Sequence, residues 1–418
     1  MPFRLYFGGI VVLVTLCFVG EAVAQTTTDF TSWKDPKNAE SIQLWTQRML
    51  SRFKDLADTE REELLAKNLS ELAEIASDST IVISTRYNAV LAIGQLDAKP
   101  GNPPVAYPVA LTTLIDLYQQ ADFPNYLRCG ALLGIVRHAL CGVDPSQRDK
   151  VIDLFLETVM AEIETGHAVP LEPAVWDWFR LTALDGLAAL KTAGSKDKVV
   201  VELLTLINRK SLEIETMLDR QDMFTLETWK QLCRTIELAS KAAKTLGDLD
   251  YSSATDINAT TMTDAFIRLT RAVCDIQHKM AAEYIELEKT VPAPALLLEQ
   301  IVMNVKIGVQ SIVWGMRSGL LFAKPGENSF YTSLKNEDTE IKRLDALMAE
   351  IVELSAFLDE GDKTKRTPAT PNMPKAFKFD LAELRDALKK CSESLAKIQE
   401  VRESSEEERP NGESQTQI

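Results

Sequence analysis

Histidine is nearly missing from this chain: 418 residues carry only His138, His167 and His278. That scarcity leaves few places for imidazole base catalysis or histidine-based metal binding. Three familiar signatures are also absent: a Gly-rich phosphate loop, a Gly-x-Ser-x-Gly elbow and a His-Glu-x-x-His helix. No catalytic residue, cofactor site or metal site is therefore assigned. Positive charge is short as well, with 46 Lys and Arg against 61 Asp and Glu and a formal net charge of −15. Nucleic-acid affinity comes largely from Lys and Arg displacing counterions, so this balance argues against a nucleic-acid partner. Strand signals are scarce. Thr80-Ile81-Val82-Ile83 is the clearest β-branched run, and it sits where a helix start is the more economical reading.

Long apolar runs are rare too, and the one at the N-terminus is informative. Arg4 precedes an uncharged stretch from Leu5 to Val19, and Ala22-Val23-Ala24 before Gln25 has the small-x-small form of a signal-peptidase site. The run is at the short end of the roughly 18 to 20 residues that span a bilayer, which favours cleavage over a retained anchor. The expectation is a signal peptide over 1–24, cut between Ala24 and Gln25, and a mature protein in the periplasm or outside the cell. No stable membrane span is expected after cleavage. Five cysteines would remain, Cys129, Cys141, Cys233, Cys274 and Cys391, too few and too scattered for a disulfide scaffold. On one helix, Cys129 and Cys141 would lie about 18 Å apart, so buried apolar thiols are the simpler reading.

What the chain does have is a repeat. Arg86-Tyr87-Asn88-Ala89-Val90-Leu91-Ala92-Ile93, Arg128-Cys129-Gly130-Ala131-Leu132-Leu133-Gly134-Ile135 and Arg180-Leu181-Thr182-Ala183-Leu184-Asp185-Gly186-Leu187 share the form Arg-x-x-Ala-(Val/Leu)-x-(Ala/Gly)-(Ile/Leu). Apolar positions three and four apart, with small residues among them, describe a helix that a neighbour approaches closely. The arginines stand 42 and 52 residues apart, room for one helical hairpin per interval. Helices are predicted over 36–54, 59–77 and from Arg86 onward, then 105–120 with 124–141, and 145–165 with 173–192. Pro124 and Pro173 mark where second helices begin.

These positions resemble the second helix of HEAT-type α-solenoids, which often carries Val-Arg-x-x-Ala followed by spaced Leu and Gly. The matching residues are Arg86, Arg128 and Arg180 with Ala89, Ala131 and Ala183, and the likeness covers about residues 59 to 193. Thr85, Leu127 and Phe179 replace the usual Val, and the second interval is long. The resemblance implies partner binding along a concave face and transfers no catalytic residue. The arginines are candidates either for an acidic partner or for loop carbonyls of their own hairpin. Trp176-Asp177-Trp178-Phe179 is the densest aromatic cluster. Helical neighbours point in different directions, so at least one of Trp176 and Trp178 is expected outside the core stripe as a partner contact.

Beyond residue 250 the predicted helices lengthen: 261–289, 294–320, 335–360 and 379–402. The last spaces Leu381, Leu384, Leu388, Cys391, Leu395 and Ile398 by threes and fours, a narrow seam for another helix. Its expected partner is the segment with Ile341, Leu344, Met348, Ile351 and Leu358, while self-association through Leu381, Leu384, Leu388, Leu395 and Ile398 is the alternative. A Pro-rich linker is read over 361–378 and a disordered acidic tail over 403–418. His138 with Cys141, and Cys274 with His278, have helical ligand spacing, yet only their meeting in space would make a metal set.

The fold expectation is all-α: an N-terminal extension over 25–35, a HEAT-like hairpin array over 36–250, then longer bundle-like helices over 251–360. The functional expectation is an exported, non-catalytic scaffold that binds another protein in the cell envelope. Two alternatives stand beside it, an enzyme or small-ligand protein using a groove between array and long helices, and a self-assembling envelope component.

Overall fold

The computed structural model describes residues 56–120, 122–161, 172–219, 225–252, 254, 257–290, 338–364 and 381–407. Among them are eleven α-helices and two short strands, so the fold is all-α. In chain order these are α1 (Asp58–Ser77), α2 (Ile83–Gly94), β1 (Asp97–Lys99), β2 (Val105–Ala106), α3 (Pro108–Gln119), α4 (Asn125–Cys141), α5 (Pro145–Met160) and α6 (Pro173–Leu190). Then follow α7 (Lys198–Met217), α8 (Leu226–Asp248), α9 (Ala259–Thr290), α10 (Asp338–Thr364) and α11 (Leu381–Glu407).

Local chemistry sets the helix starts. Pro108, Pro145 and Pro173 occupy first turns, where a missing N–H costs nothing. Pro124 stands just before α4. Asp144 Oδ1 accepts from the Ser146 N–H at 2.8 Å, and Thr225 Oγ1 accepts from the Thr228 N–H at 3.2 Å; each satisfies a donor that its helix leaves open. Helix α1 begins at Asp58, one residue before its predicted start; no side chain caps it, and Asp58 and Glu60 sit at the positive end of the helix dipole.

Four hairpins follow one another: α1/α2, α3/α4, α5/α6 and α7/α8. The second helices α2, α4, α6 and α8 pack side by side in a row, each against the next. Small residues stand where the rods cross. Ala89, Ala131 and Ala183 are completely buried. A Cβ added to Gly94 would come within 2.8 Å of Gly134 Cα, and one added to Gly186 within 2.3 Å of the Phe155 ring. Around these crossings, fully buried Leu65, Ile93, Leu111, Leu114, Leu132 and Ile135 fill the interior. Each such side chain contributes about 1.5–3 kcal/mol on removal from water. The fourth hairpin spans the stretch where the repeat pattern fades, yet it joins the row through buried Ala239, Ala242 and Ala243 and a 3.3 Å hydrogen bond from Thr245 Oγ1 to Leu184 O.

The row then changes direction. Helix α9 packs on α7, α11 lies along α9, and α10 rests on both. Leu384, Leu388, Cys391 and Leu395 are buried and Ile398 is half-buried, so the predicted seam is filled within the chain. Its main cover is α9, however, and α10 contributes less. The spacing of three and four identifies the buried stripe of α11 without saying which helix covers it.

Other boundaries move. Val105 and Ala106 belong to β2, antiparallel to β1, and α3 begins only at Pro108. Helix α5 ends at Met160, five residues short of the predicted 165; residues 162–171 lie outside the described residues. Helix α10 runs through Gly361 to Thr364, into the predicted linker, and α11 continues five residues past 402 into the predicted tail. The signal peptide with Ala24 and Gln25, the 25–35 extension, the 36–54 and 294–320 helices, His167 and most of the linker and tail also lie outside the described residues.

Candidate functional site

The three repeat arginines do one structural job. Arg86 Nε donates to Ala76 O at 2.9 Å, Arg128 Nη2 to Gln120 O at 2.6 Å, and Arg180 Nε to Val159 O at 2.9 Å. Each acceptor is at or just past the C-terminal end of the first helix of the same hairpin, where carbonyls lack a helical partner. The guanidinium closes the hairpin by satisfying them. Of the two roles read from the sequence, the structure gives Arg86, Arg128 and Arg180, each only 6–7% exposed, the hairpin carbonyls rather than an open surface for a partner. Trp176 is likewise buried, with Nε1 donating to Ala161 O at 3.4 Å.

Trp178 is different. It is 37% exposed and packs at a right angle to Phe179, with ring centroids 5.5 Å apart, so one part of the ring is held by packing while another reaches solvent. The repeat gives this position a register. Two residues before each repeat arginine stand Ser84, Tyr126 and Trp178, all exposed. Five residues after it stand Leu91, Leu133 and Asp185; Leu133 is exposed, and the other two are half-buried. Equivalent positions on stacked second helices share one side of the row. On α4 the side is apolar along its length, because Tyr126, Leu133 and Leu140 recur every seven residues and fall on one stripe. Sequence reasoning singled out Trp178 but missed Tyr126, Leu133 and Leu140, although the repeat register carried over from Trp178 points to Tyr126 directly.

Charged residues border this face toward α8. Asp177 pairs with Arg180 Nη1 at 3.8 Å and Arg234 Nε at 3.3 Å. Burial raises its carboxyl above the ordinary range, and Arg180, Arg234 and Lys210 oppose that rise. Glu213 accepts from Lys210 Nζ at 2.6 Å and Thr235 Oγ1 at 2.8 Å. Asp185 is paired with Lys241. Glu237 is raised by burial and then by Asp177. Raised carboxyls sometimes mark acid–base sites. Here the cationic partners tie α6, α7 and α8 together, which accounts for the network structurally.

Reactive side chains are subdued. Burial pushes the Cys129 and Cys233 thiols up to about 11 and raises Cys141, which leaves little thiolate at neutral pH. Burial, then Arg137, pushes His138 down to about 4, so it stays neutral. Cys274 and His278 face α11, where Cys391, and then burial, raise the Cys274 thiol well above its usual range and His278 Nδ1 lies 3.0 Å from Arg385 O. The two His/Cys pairs thus have separate surroundings, and among the described residues no three His, Cys, Asp or Glu side chains gather as a metal set. A depression of about 530 Å³ opens between α5 and the loop before α7, lined by Arg148, Asp149, Ile152, Thr192, Ser195 and Lys196. Among the described residues no helix is long and apolar enough to cross a membrane.

Fold and face together define an all-α protein of stacked helical hairpins with an exposed apolar stripe on α4 and the exposed Trp178 at the matching register of α6. No family model, curated protein or solved structure matches the chain.

Proposed function

We propose that the chain is an exported, non-catalytic HEAT-type scaffold that holds another protein of the cell envelope against its second helices. The observation that carries this reading is the shared register of Tyr126 and Trp178, joined by Leu133 and Leu140 on one side of the row. Rigid aromatic side chains with one edge fixed by packing lose little entropy on binding and are frequent anchors of protein interfaces. The withdrawal of Arg86, Arg128 and Arg180 into the hairpins supports the same assignment, since the repeat then supplies the frame and the positions between its core residues supply the contacts. Export rests on Arg4, the Leu5–Val19 run and Ala22-Val23-Ala24.

Affinity capture from the native envelope, with the full chain and with the Tyr126→Ala/Trp178→Ala double variant as parallel baits, tests the reading. The wild type is expected to retain a protein that the variant loses, while far-UV circular dichroism of the two stays the same. Equal recovery by both baits would overturn the assignment of this face. Intact mass of protein from its own cell is expected to place the N-terminus at Gln25, and retention of 1–24 would reject cleavage.

A further inference from the structure

Helices α9 and α11 run antiparallel in a register fixed by polar contacts. Ser392 Oγ donates to Asp275, the His278 ring meets Arg385 O, and Arg271 Nη1 donates to Gln399 Oε1 at 3.5 Å. Within this register Cys274 on α9 stands opposite Cys391 on α11, one residue from the Ser392–Asp275 bond. Both are buried and carry free thiols. The sequence scatters its cysteines too widely to indicate any pairing. The fold brings two of them to opposite positions of one antiparallel helix pair, the juxtaposition from which a cross-link can form.

We propose that Cys274 and Cys391 are a cross-linking pair, joined by a disulfide donor such as oxidised glutathione or a thiol–disulfide oxidoreductase of an oxidising compartment. One thiolate attacks the donor disulfide, forming a mixed disulfide and releasing one donor thiol. The second thiolate attacks the protein sulfur of that mixed disulfide and releases the other donor thiol. Two protons and two electrons pass to the donor, and one S–S bond ties α11 to α9. The link closes a loop that includes 291–337 and 365–380, and long loops gain most from closure. In the docked pair Cys391, and then burial, hold the Cys274 thiol well above its usual range. Exchange therefore belongs to folding, before α11 settles, and the finished bond is shielded. The natural supply of oxidant rests on the exported reading above; the pairing does not.

Full-length protein, reduced and unfolded, is refolded in a buffer of reduced and oxidised glutathione, alkylated and digested with trypsin without reduction. The expected product joins the peptide 272–279 to the peptide 391–397, about 2 Da below the sum of the two thiol peptides. Recovery of Cys274 and Cys391 in alkylated form, or linked to other cysteines, would overturn the proposal. The same map on protein taken from its own cell separates the two claims. The link there supports an oxidising compartment, whereas a link formed only on refolding would tell against export and leave the pair standing.

Discussion

In the hairpin array, neighbouring helices touch backbone to backbone: Gly94 meets Gly134 where α2 and α4 cross, and each repeat arginine reaches a main-chain carbonyl. The long helices pack through the apolar seam of α11 and are fastened by buried charge pairs that follow no repeat. Arg343 on α10, itself 3% exposed, pairs with Glu340 and with Asp264 of α9 at 2.6 Å, and Arg268 holds Glu215 of α7 by two bonds of 2.6 and 2.8 Å. Close backbone approach needs small residues at fixed positions and therefore leaves a repeat in the sequence. Charge pairing needs only two complementary side chains somewhere along each rod, so it leaves none.

The sharpest way to break this contrast is Arg343→Ala. Removing the cation strands the buried Glu340 carboxylate, at an expected cost of about 3–5 kcal/mol. Hydrogen exchange read by mass spectrometry should rise in α10 and the facing turns of α9 while α2 and α4 keep their protection. Equal loosening of both regions would mean that they unfold as one unit.

Acid acts on the array through His138. The unfolded chain binds a proton at His138 below about pH 6.5, but the folded chain refuses it until about pH 4. At this site the unfolded state therefore holds more protons across that window, so the His138 contribution to stability falls on acidification by roughly 1.4 kcal/mol per pH unit, while the raised carboxyls of Asp177 and Glu237 act in the opposite sense. Above pH 6.5 this contribution is fully present. Urea titrations between pH 7 and 4 should show the decline, and His138→Leu should flatten its share of it.

Arg180→Ala sharpens the comparison at smaller scale. It leaves the Val159 carbonyl without its donor and Asp177 with one cation fewer, for an expected loss of about 1–3 kcal/mol in urea unfolding. Exchange should quicken at the end of α5. Arg180→Lys should recover only part, since an ammonium lacks the planar fork.

The same contrast decides what was legible in the sequence. Ala89, Ala131 and Ala183 announced the stacked second helices, and Pro124 and Pro173 their starts, because both follow from backbone constraints with fixed spacing. The β1–β2 pair was invisible: strands of three and two residues show no period, and its support is the long-range Arg137–Asp97 ion pair at 2.7 Å. The cover of α11 was missed for a related reason, as Leu384, Leu388 and Leu395 say which face is buried while only the fold says that α9 buries it. Trp178 was legible as an aromatic in a cluster. Tyr126 and Leu133 look like ordinary helix residues until the repeat register places them beside it.

Gly134→Ala tests the crossing of hairpins most directly. In the middle of an unconstrained helix this change stabilises by about 1 kcal/mol. In α4 the new methyl would stand 2.8 Å from the Leu114 side chain and 3.2 Å from Gly94 Cα, so the account predicts a loss of about 1–3 kcal/mol in equilibrium urea unfolding. A gain in stability of the ordinary helical size would contradict it.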